Sequence, residues 1–349
     1  MKKLIALGII VLFLSVSIPA IAQFDKKDTS PFFGGKTLYV GGSGPGNYTK
    51  IQEAIDNASD GDSIYVYAGI YSNITINKSL RLIGENKYTT IISGSGKHNA
   101  VGVEANQVTI YGFTIQNGGP LGMGFGINLE DGRMNIILSD MIITQNYVGI
   151  IHFCNKNLLL DNITFTANGE SISFHDGKNC TITHCIFTKN DGGIFIFNYG
   201  FSSSTSGSSL YIYNNLFLHN SGGLYLSGCT DIYGNTTVEG NSFQHNYYDI
   251  TVDTCKGVNI IKNNFIESTR HVVLSRNCFF REIPLFFGYK EHWMNNYWDD
   301  WNQHPRYSIR GIWTLYIGDD FYSVPKLNIP YREYDPKPAQ EPYKIPVMN

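Results

Sequence analysis

Three groups of side chains in this 349-residue sequence have the types and spacing to do chemistry. His219, His245 and Glu267 each lie two residues after an aromatic (Phe217, Phe243 and Phe265). If that spacing is one structural repeat, the two imidazoles stack at about the 4.8 Å separation of neighbouring strands and can ligate copper or zinc, with Glu267 next in line. The opposing reading is a row of solvated turn residues, since three donors in a line do not close a tetrahedral shell. The second group is a set of rings, Phe153, Phe195, Phe197 and Tyr225, interspersed with His175. Rings in a row on an outward face form a stacking platform for sugars, flanked by hydrogen-bonding groups. A patch covered by loops or by the C-terminal tail accounts for the same rings, because bare apolar patches of this kind are unusual. The third group is carboxylic: Glu130, Asp176 and Asp253 are the candidates for a paired general acid and base.

Such residues act together only if a scaffold lines them up, and the sequence contains one. A small or polar residue followed by apolar-any-apolar recurs as Gly126-Ile127-Asn128-Leu129, Gly149-Ile150-Ile151-His152, Ser171-Ile172-Ser173-Phe174 and Gly193-Ile194-Phe195-Ile196. It continues as Gly223-Leu224-Tyr225-Leu226, Asp249-Ile250-Thr251-Val252 and His271-Val272-Val273-Leu274. The first apolar residues step by 23, 22, 22, 30, 26 and 22, a period that marks a solenoid of short strands. A second alternating pair follows each (Ile136/Leu138, Leu158/Leu160, Cys180/Ile182), then an anchor: Ile115, Ile143, Phe165, Phe187, Phe217, Phe243, Phe265 and Trp298. Three strands per turn describe a parallel β-helix of nine to ten coils. The middle residues of the first strands then point outward, in one column from Asn128 to Val273 and a neighbouring one from Glu130 to Ser275. The serine-rich stretch Phe201–Ser209 lengthens one coil without disturbing its register.

Asparagines keep the same period. Asn146, Asn168, Asn190, Asn220 and Asn246 come three residues after the anchor, and Asn215, Asn241, Asn263 and Asn296 two before it. Stacked amides that hydrogen-bond from coil to coil explain both columns. Ahead of the repeats, residues 49–58 read as an amphipathic helix with Ile51, Ala54, Ile55 and Ala58 on one face, Thr49 and Gln52 forming a capping box. This helix is the natural cover for an open solenoid end.

Tyr48-Thr49-Lys50-Ile51-Gln52-Glu53-Ala54-Ile55, Gly61-Asp62-Ser63-Ile64-Tyr65-Val66, Ile76-Asn77-Lys78-Ser79-Leu80-Arg81-Leu82-Ile83-Gly84 and the closing Asn295-Asn296-Tyr297-Trp298-Asp299-Asp300-Trp301 carry a resemblance. Together with the repeats, over roughly residues 36 to 301, they resemble the secreted right-handed parallel β-helix proteins of the NosD and pectin-lyase-like group. The resemblance implies that fold and three activities: copper-enzyme maturation, polysaccharide cleavage and glycan binding. It also implies calcium held by clustered acidic residues, with an Arg or Lys base, if the chain is a lyase. Here no Arg or Lys stands on the two outward columns, and Arg276 lies at their margin. The hydrolases of this fold resemble one another in an Asn-Thr-Asp, Asp-Asp, Gly-His-Gly and Arg-x-Lys set that does not occur in order.

The remaining signals bound the setting. Lys2 and Lys3, an apolar run from Leu4 to Ile18 and Ala20-Ile21-Ala22 make a secretory signal peptide cleaved after Ala22. Export follows, to the medium or the cell surface, with no stable membrane span after cleavage. The formal charge of −3 and the lack of a basic block exclude a nucleic-acid footprint. Six cysteines permit disulfides in an exported chain, with Cys229 and Cys255 on successive coils as one possible bridge. The organisation expected is signal peptide 1–22, extension 23–47, β-helix 48–301 and a C-terminal cap or tail 302–349. The function expected is non-catalytic binding of polysaccharide or surface glycan on the aromatic face. A NosD-like copper-binding accessory role and polysaccharide lyase or glycoside hydrolase activity are the alternatives.

Overall fold

The computed structural model describes residues 34–119, 124–197, 209–228, 236–279, 291–302, 304–316 and 326–346. The signal-peptide segment 1–22, Cys229 and most of the serine-rich insertion therefore lie outside the described residues. Within them the chain forms one helix and 29 strands, and every strand pairing but one is parallel. The exception is the hairpin of Tyr307–Tyr316 with Lys326–Asp335 at the C-terminal end.

Three ladders build a β-solenoid of about eight turns. The nine to ten coils read from the repeats agree approximately with this solenoid. In the second ladder Leu38, Ile64, Leu82, Ile110, Leu138, Leu160, Ile182, Ile212, Val238, Ile260 and Trp293 pair in succession, all buried. The third carries the anchors, and their rings stack coil upon coil: Phe165 on Phe187 at 4.8 Å, Phe187 on Phe217 and Phe217 on Phe243 at 4.6 Å, Phe265 on Trp298 at 4.2 Å. Strand alternation sends one side of each ladder inward, so the solenoid axis becomes a continuous apolar column.

Polar groups inside that column are paired by the asparagines. Asn168 Nδ2 donates to Ile143 O (2.9 Å) and to Asn190 Oδ1 (3.1 Å), and Asn190 repeats the pattern toward Asn220. The other column runs from Cys185, whose N–H donates to Asn215 Oδ1, through Asn241 and Asn263 to Asn296. Asp335 of the terminal hairpin ends it, accepting from Asn296 N (2.9 Å) and Nδ2 (3.0 Å). The C-terminal residues are thus tied into the helix by the same ladder that organises its coils.

At the leading end the helix spans Ile51–Asn57 and buries Ile51, Ala54 and Ile55 as expected, with Ala58 buried as the extended residue that follows it. The capping box does not form: Lys50 is the N-cap residue and no side chain caps it. Gln52 instead turns to the neighbouring strand, accepting from Thr75 N (2.8 Å), because pairing an exposed strand end outweighs a local cap. The helix C-terminus is closed by Lys78, whose Nζ donates to the carbonyls of Ile55, Asp56 and Ala58 at 2.7–2.9 Å.

Candidate functional site

The register places the outward columns as the repeat implied. Asn128, Ile151, Ser173, Phe195, Tyr225, Thr251 and Val273 pair in succession, and Phe153, His175, Phe197, Ser227, Asp253 and Ser275 form the neighbouring row, with Glu130 just beyond the strand that precedes Phe153. Five rings meet on this face. Phe153 stacks on His175 (4.7 Å between centroids, 18°), His175 on Phe197 (5.2 Å, 21°), and Tyr225 lies 5.6 Å from Phe195 and 5.7 Å from Phe197. Phe153 is 37% exposed and the others are half-buried. Burial pushes the His175 pKa down, which favours the neutral ring and makes it a member of the stack more than a charged flank.

Asp253 closes the face on one side. It accepts from Ser275 Oγ (2.9 Å), Asn277 Nδ2 (2.7 Å) and Thr254 Oγ1 (3.1 Å), with Tyr225 Oη 3.5 Å away. Burial, then the Asp253 charge, raises the Tyr225 pKa. The three candidate carboxylates are spread along the solenoid. Five strand steps separate the rows of Glu130 and Asp253, about 24 Å, and three separate Asp176 from Asp253, about 14 Å. Acid and base in a glycosidase stand roughly 5–9.5 Å apart. By register Asp253 stands apart from the other two, while Glu130 and Asp176 are two strand steps apart, about 10 Å, at the upper edge of that range.

In the histidine column the rings of His219 and His245 stack with centroids 5.0 Å apart at 14°, and His245 Nδ1 lies 3.4 Å from Glu267 Oε2. Lys189, His219, His245 and Glu267 all have φ between 49° and 57°. They occupy a left-handed corner that recurs coil after coil from Asn117 to Glu267. Near-parallel rings aim their nitrogen lone pairs side by side, so one ring must turn before both reach a common ion.

The described thiols are structural. Cys180, Cys185 and Cys255 are buried with their sulfurs against backbone carbonyls, and burial pushes the Cys180 and Cys185 thiols up to about 12. His152 is a core residue stacked on Phe174 at 4.1 Å, and burial pushes its pKa down to about 3. Its Nδ1 has no hydrogen-bond partner among the described residues.

A fourth arrangement was not foreseen from the sequence. At the C-terminal end His271 is buried between two carboxylates: its Nδ1 is 2.8 Å from Asp249 Oδ2 and its Nε2 is 2.8 Å from Asp299 Oδ1, with Asp300 Oδ1 at 3.9 Å. His271, Asp299 and Asp300 border a cleft of about 830 Å³ that Arg270, His304, Arg306 and Arg310 also line. Burial opposes charge on His271, but its carboxylate partners outweigh it and the pKa is raised; burial likewise raises that of Asp249. The signal lay in the small-residue column. Gly126, Gly149, Ser171, Gly193 and Gly223 stand where backbones touch, and a Cβ on Gly193 would lie 2.0 Å from Gly223 O. Asp249 and His271 hold the next two places in that column, so they break a rule the coil enforces elsewhere. They fit because Asn246 is followed in its own ladder by the shorter Ser268, and its amide donates to Asp249 Oδ1 (2.9 Å).

Residues 55–303 match the family described as periplasmic copper-binding protein (NosD). A cell surface glycoprotein of Methanothermus fervidus is 35% identical over 122 residues, covering 34% of this chain but only 18% of that protein's length. Among solved structures, the A-module of the mannuronan C-5 epimerase AlgE6 from Azotobacter vinelandii superposes with a TM-score of 0.50 at 16% identity, over 70% of this chain and 79% of that one. The pectin methylesterase of Aspergillus niger does so with a TM-score of 0.48 at 18% identity, over 68% and 85%. At 16% identity the likeness to the epimerase module is one of fold. No helix among the described residues is long and apolar enough to cross a membrane.

Proposed function

The chain belongs to the NosD family of parallel β-helix proteins, and from that premise we propose that it is an exported protein that binds polysaccharide or surface glycan on its aromatic face without cleaving it. The observation that carries this reading is the contiguous five-ring patch of Phe153, His175, Phe195, Phe197 and Tyr225. Flat rings held at strand spacing suit the apolar faces of pyranose units, and the hydrogen-bonded Asp253 edge gives hydroxyls a polar border. A binder needs nothing more than this face, whereas catalysis by Asp253 needs a second carboxylate closer than the three or more strand steps that separate it from Asp176 and Glu130. The likeness to a cell surface glycoprotein supports a location at or outside the cell envelope.

The test is a polysaccharide panel scored on the same samples for gel retardation and for new reducing or unsaturated ends. Retardation without new ends is expected, weakened about tenfold or more in Phe197→Ala/Tyr225→Ala, since each lost stacking contact is worth about 0.5–1.5 kcal/mol. New chain ends that disappear in Asp253→Ala establish an enzyme and overturn the non-catalytic reading. A second reading, copper binding through His219, His245 and Glu267, draws on the family's description and on the stacked imidazoles. It expects copper affinity to drop in His219→Ala/His245→Ala, and unchanged affinity sinks it.

A further inference from the structure

We propose that His271 Nε2, Asp299 and Asp300 form a binding site for a divalent transition-metal ion of the zinc and copper(II) class, with Asp249 as the positioning residue. The three side chains each offer one ligand atom, and those atoms lie within 4.8 Å of one another. Ligand atoms about 2.0–2.2 Å from a tetrahedral ion stand about 3.4 Å apart. The spacings from Nε2 to Asp299 (2.8 Å) and to Asp300 (3.9 Å) bracket that value, so small shifts of the side chains bring both to it.

What separates this group from a chance meeting of charges is that each donor is held by its other end. His271 directs Nδ1 to Asp249 Oδ2 (2.8 Å), and Asp249 is fully buried and anchored by Asn246. A ring whose far nitrogen is fixed by a carboxylate is the usual form of a metal-binding histidine. Asp299 takes the backbone N–H of Glu267 on Oδ2, leaving Oδ1 toward Nε2. Asp300 takes the Tyr307 hydroxyl on Oδ2 (3.1 Å), leaving Oδ1 toward the same point. Tyr307 is itself fixed by stacking on Trp298 at 4.1 Å. The ligands come from two neighbouring coils and open on the cleft, which leaves room for water or another ligand to complete the shell.

One nitrogen and two carboxylate oxygens select against soft copper(I), which prefers sulfur donors. The nitrogen also disfavours calcium, which takes oxygen ligands. The site differs from the His219–His245 column in residues and in place, so the two can be scored separately in one protein.

The experiment titrates the metal-free purified protein with Zn²⁺, Cu²⁺ and Ca²⁺ by calorimetry. The variants are His271→Gln, Asp299→Asn, Asp300→Asn and His219→Ala/His245→Ala. Expected are one Zn²⁺ or Cu²⁺ per chain at this site, affinity at least tenfold lower in Asp299→Asn and His271→Gln, this site's affinity unchanged in His219→Ala/His245→Ala, and weak or absent Ca²⁺ binding. The Cu²⁺ electron paramagnetic spectrum should show coupling to one nitrogen. Asp300 is largely exposed, so Asp300→Asn keeps the question answerable if the buried variants misfold. Absence of stoichiometric Zn²⁺ and Cu²⁺ binding, retention of full affinity in Asp300→Asn and Asp299→Asn, or tighter binding of Ca²⁺ overturns the proposal.

Discussion

Replacing Asn220 by alanine tests how much of the solenoid's stability rests on its amide ladder. The side chain makes four hydrogen bonds: Oδ1 accepts from Asn190 N and Asn190 Nδ2 (both 3.1 Å), and Nδ2 donates to Phe187 O (2.9 Å) and Asn246 Oδ1 (3.1 Å). After truncation Asn190 Nδ2 keeps Phe165 O, and Asn246 Oδ1 keeps the Asn220 N–H. The Asn190 N–H loses its side-chain acceptor inside the core and Phe187 O loses its amide donor. An orphaned buried donor costs about 1–3 kcal/mol and a lost neutral hydrogen bond about 1, so the expected loss is about 2–4 kcal/mol. An unfolding entropy of ~2.1 cal/mol/K per residue over roughly 300 residues converts this to about 3–6 °C in Tm. The assay is thermal unfolding followed by circular dichroism, with exposed Asn57→Ala as the control expected to lie within about 0.5 kcal/mol. Asn220→Asp sharpens the test. It keeps an acceptor for Asn190 but turns an oxygen toward two acceptors, so it melts low at neutral pH and recovers as acid protonates it. An Asn220→Ala variant melting within about 1 °C of the parent refutes the reasoning.

Two further outcomes follow from the packing. Glu333 sits in a buried cluster with Arg276, Glu291 and Trp293, and burial, then the neighbouring Glu291 carboxyl, push its pKa up to about 8. Between the ordinary carboxylate range and pH 8 the folded chain therefore keeps a proton that the unfolded chain has lost, so stability falls as pH rises through that window. The urea midpoint should drop from pH 5 to pH 9 and the drop should shrink in Glu333→Gln; an equal drop in that variant contradicts the assignment. Gly193→Ala should cost about 1–3 kcal/mol, because its Cβ would lie 2.0 Å from the Gly223 carbonyl oxygen, while Gly222→Ala, whose nearest neighbour is 3.9 Å away, should be near neutral; chemical denaturation compares the pair.

Much of this protein was legible before its structure. A two-residue alternation inside a period in the twenties admits one kind of packing, and a one-residue slip would turn every Ile, Leu and Phe of the core outward. The core columns, the anchor stack, both asparagine ladders and the pairing of Phe153 with His175 and Phe197 all follow from that local rule. Elsewhere the sequence was silent because the deciding partners are far apart along the chain. Gln52 reached for Thr75 instead of capping its own helix, since an open strand end is a stronger claim on an amide than a solvated helix terminus. Asp335 completed an amide ladder that begins at Cys185, and Asp299 met a histidine 28 residues earlier. Periodicity specifies which residues share a column, because strand registry repeats. It carries no information on where a column stops, and the C-terminal cleft exists only there, where Ser268 shortens one ladder and the terminal hairpin folds back over the last coil.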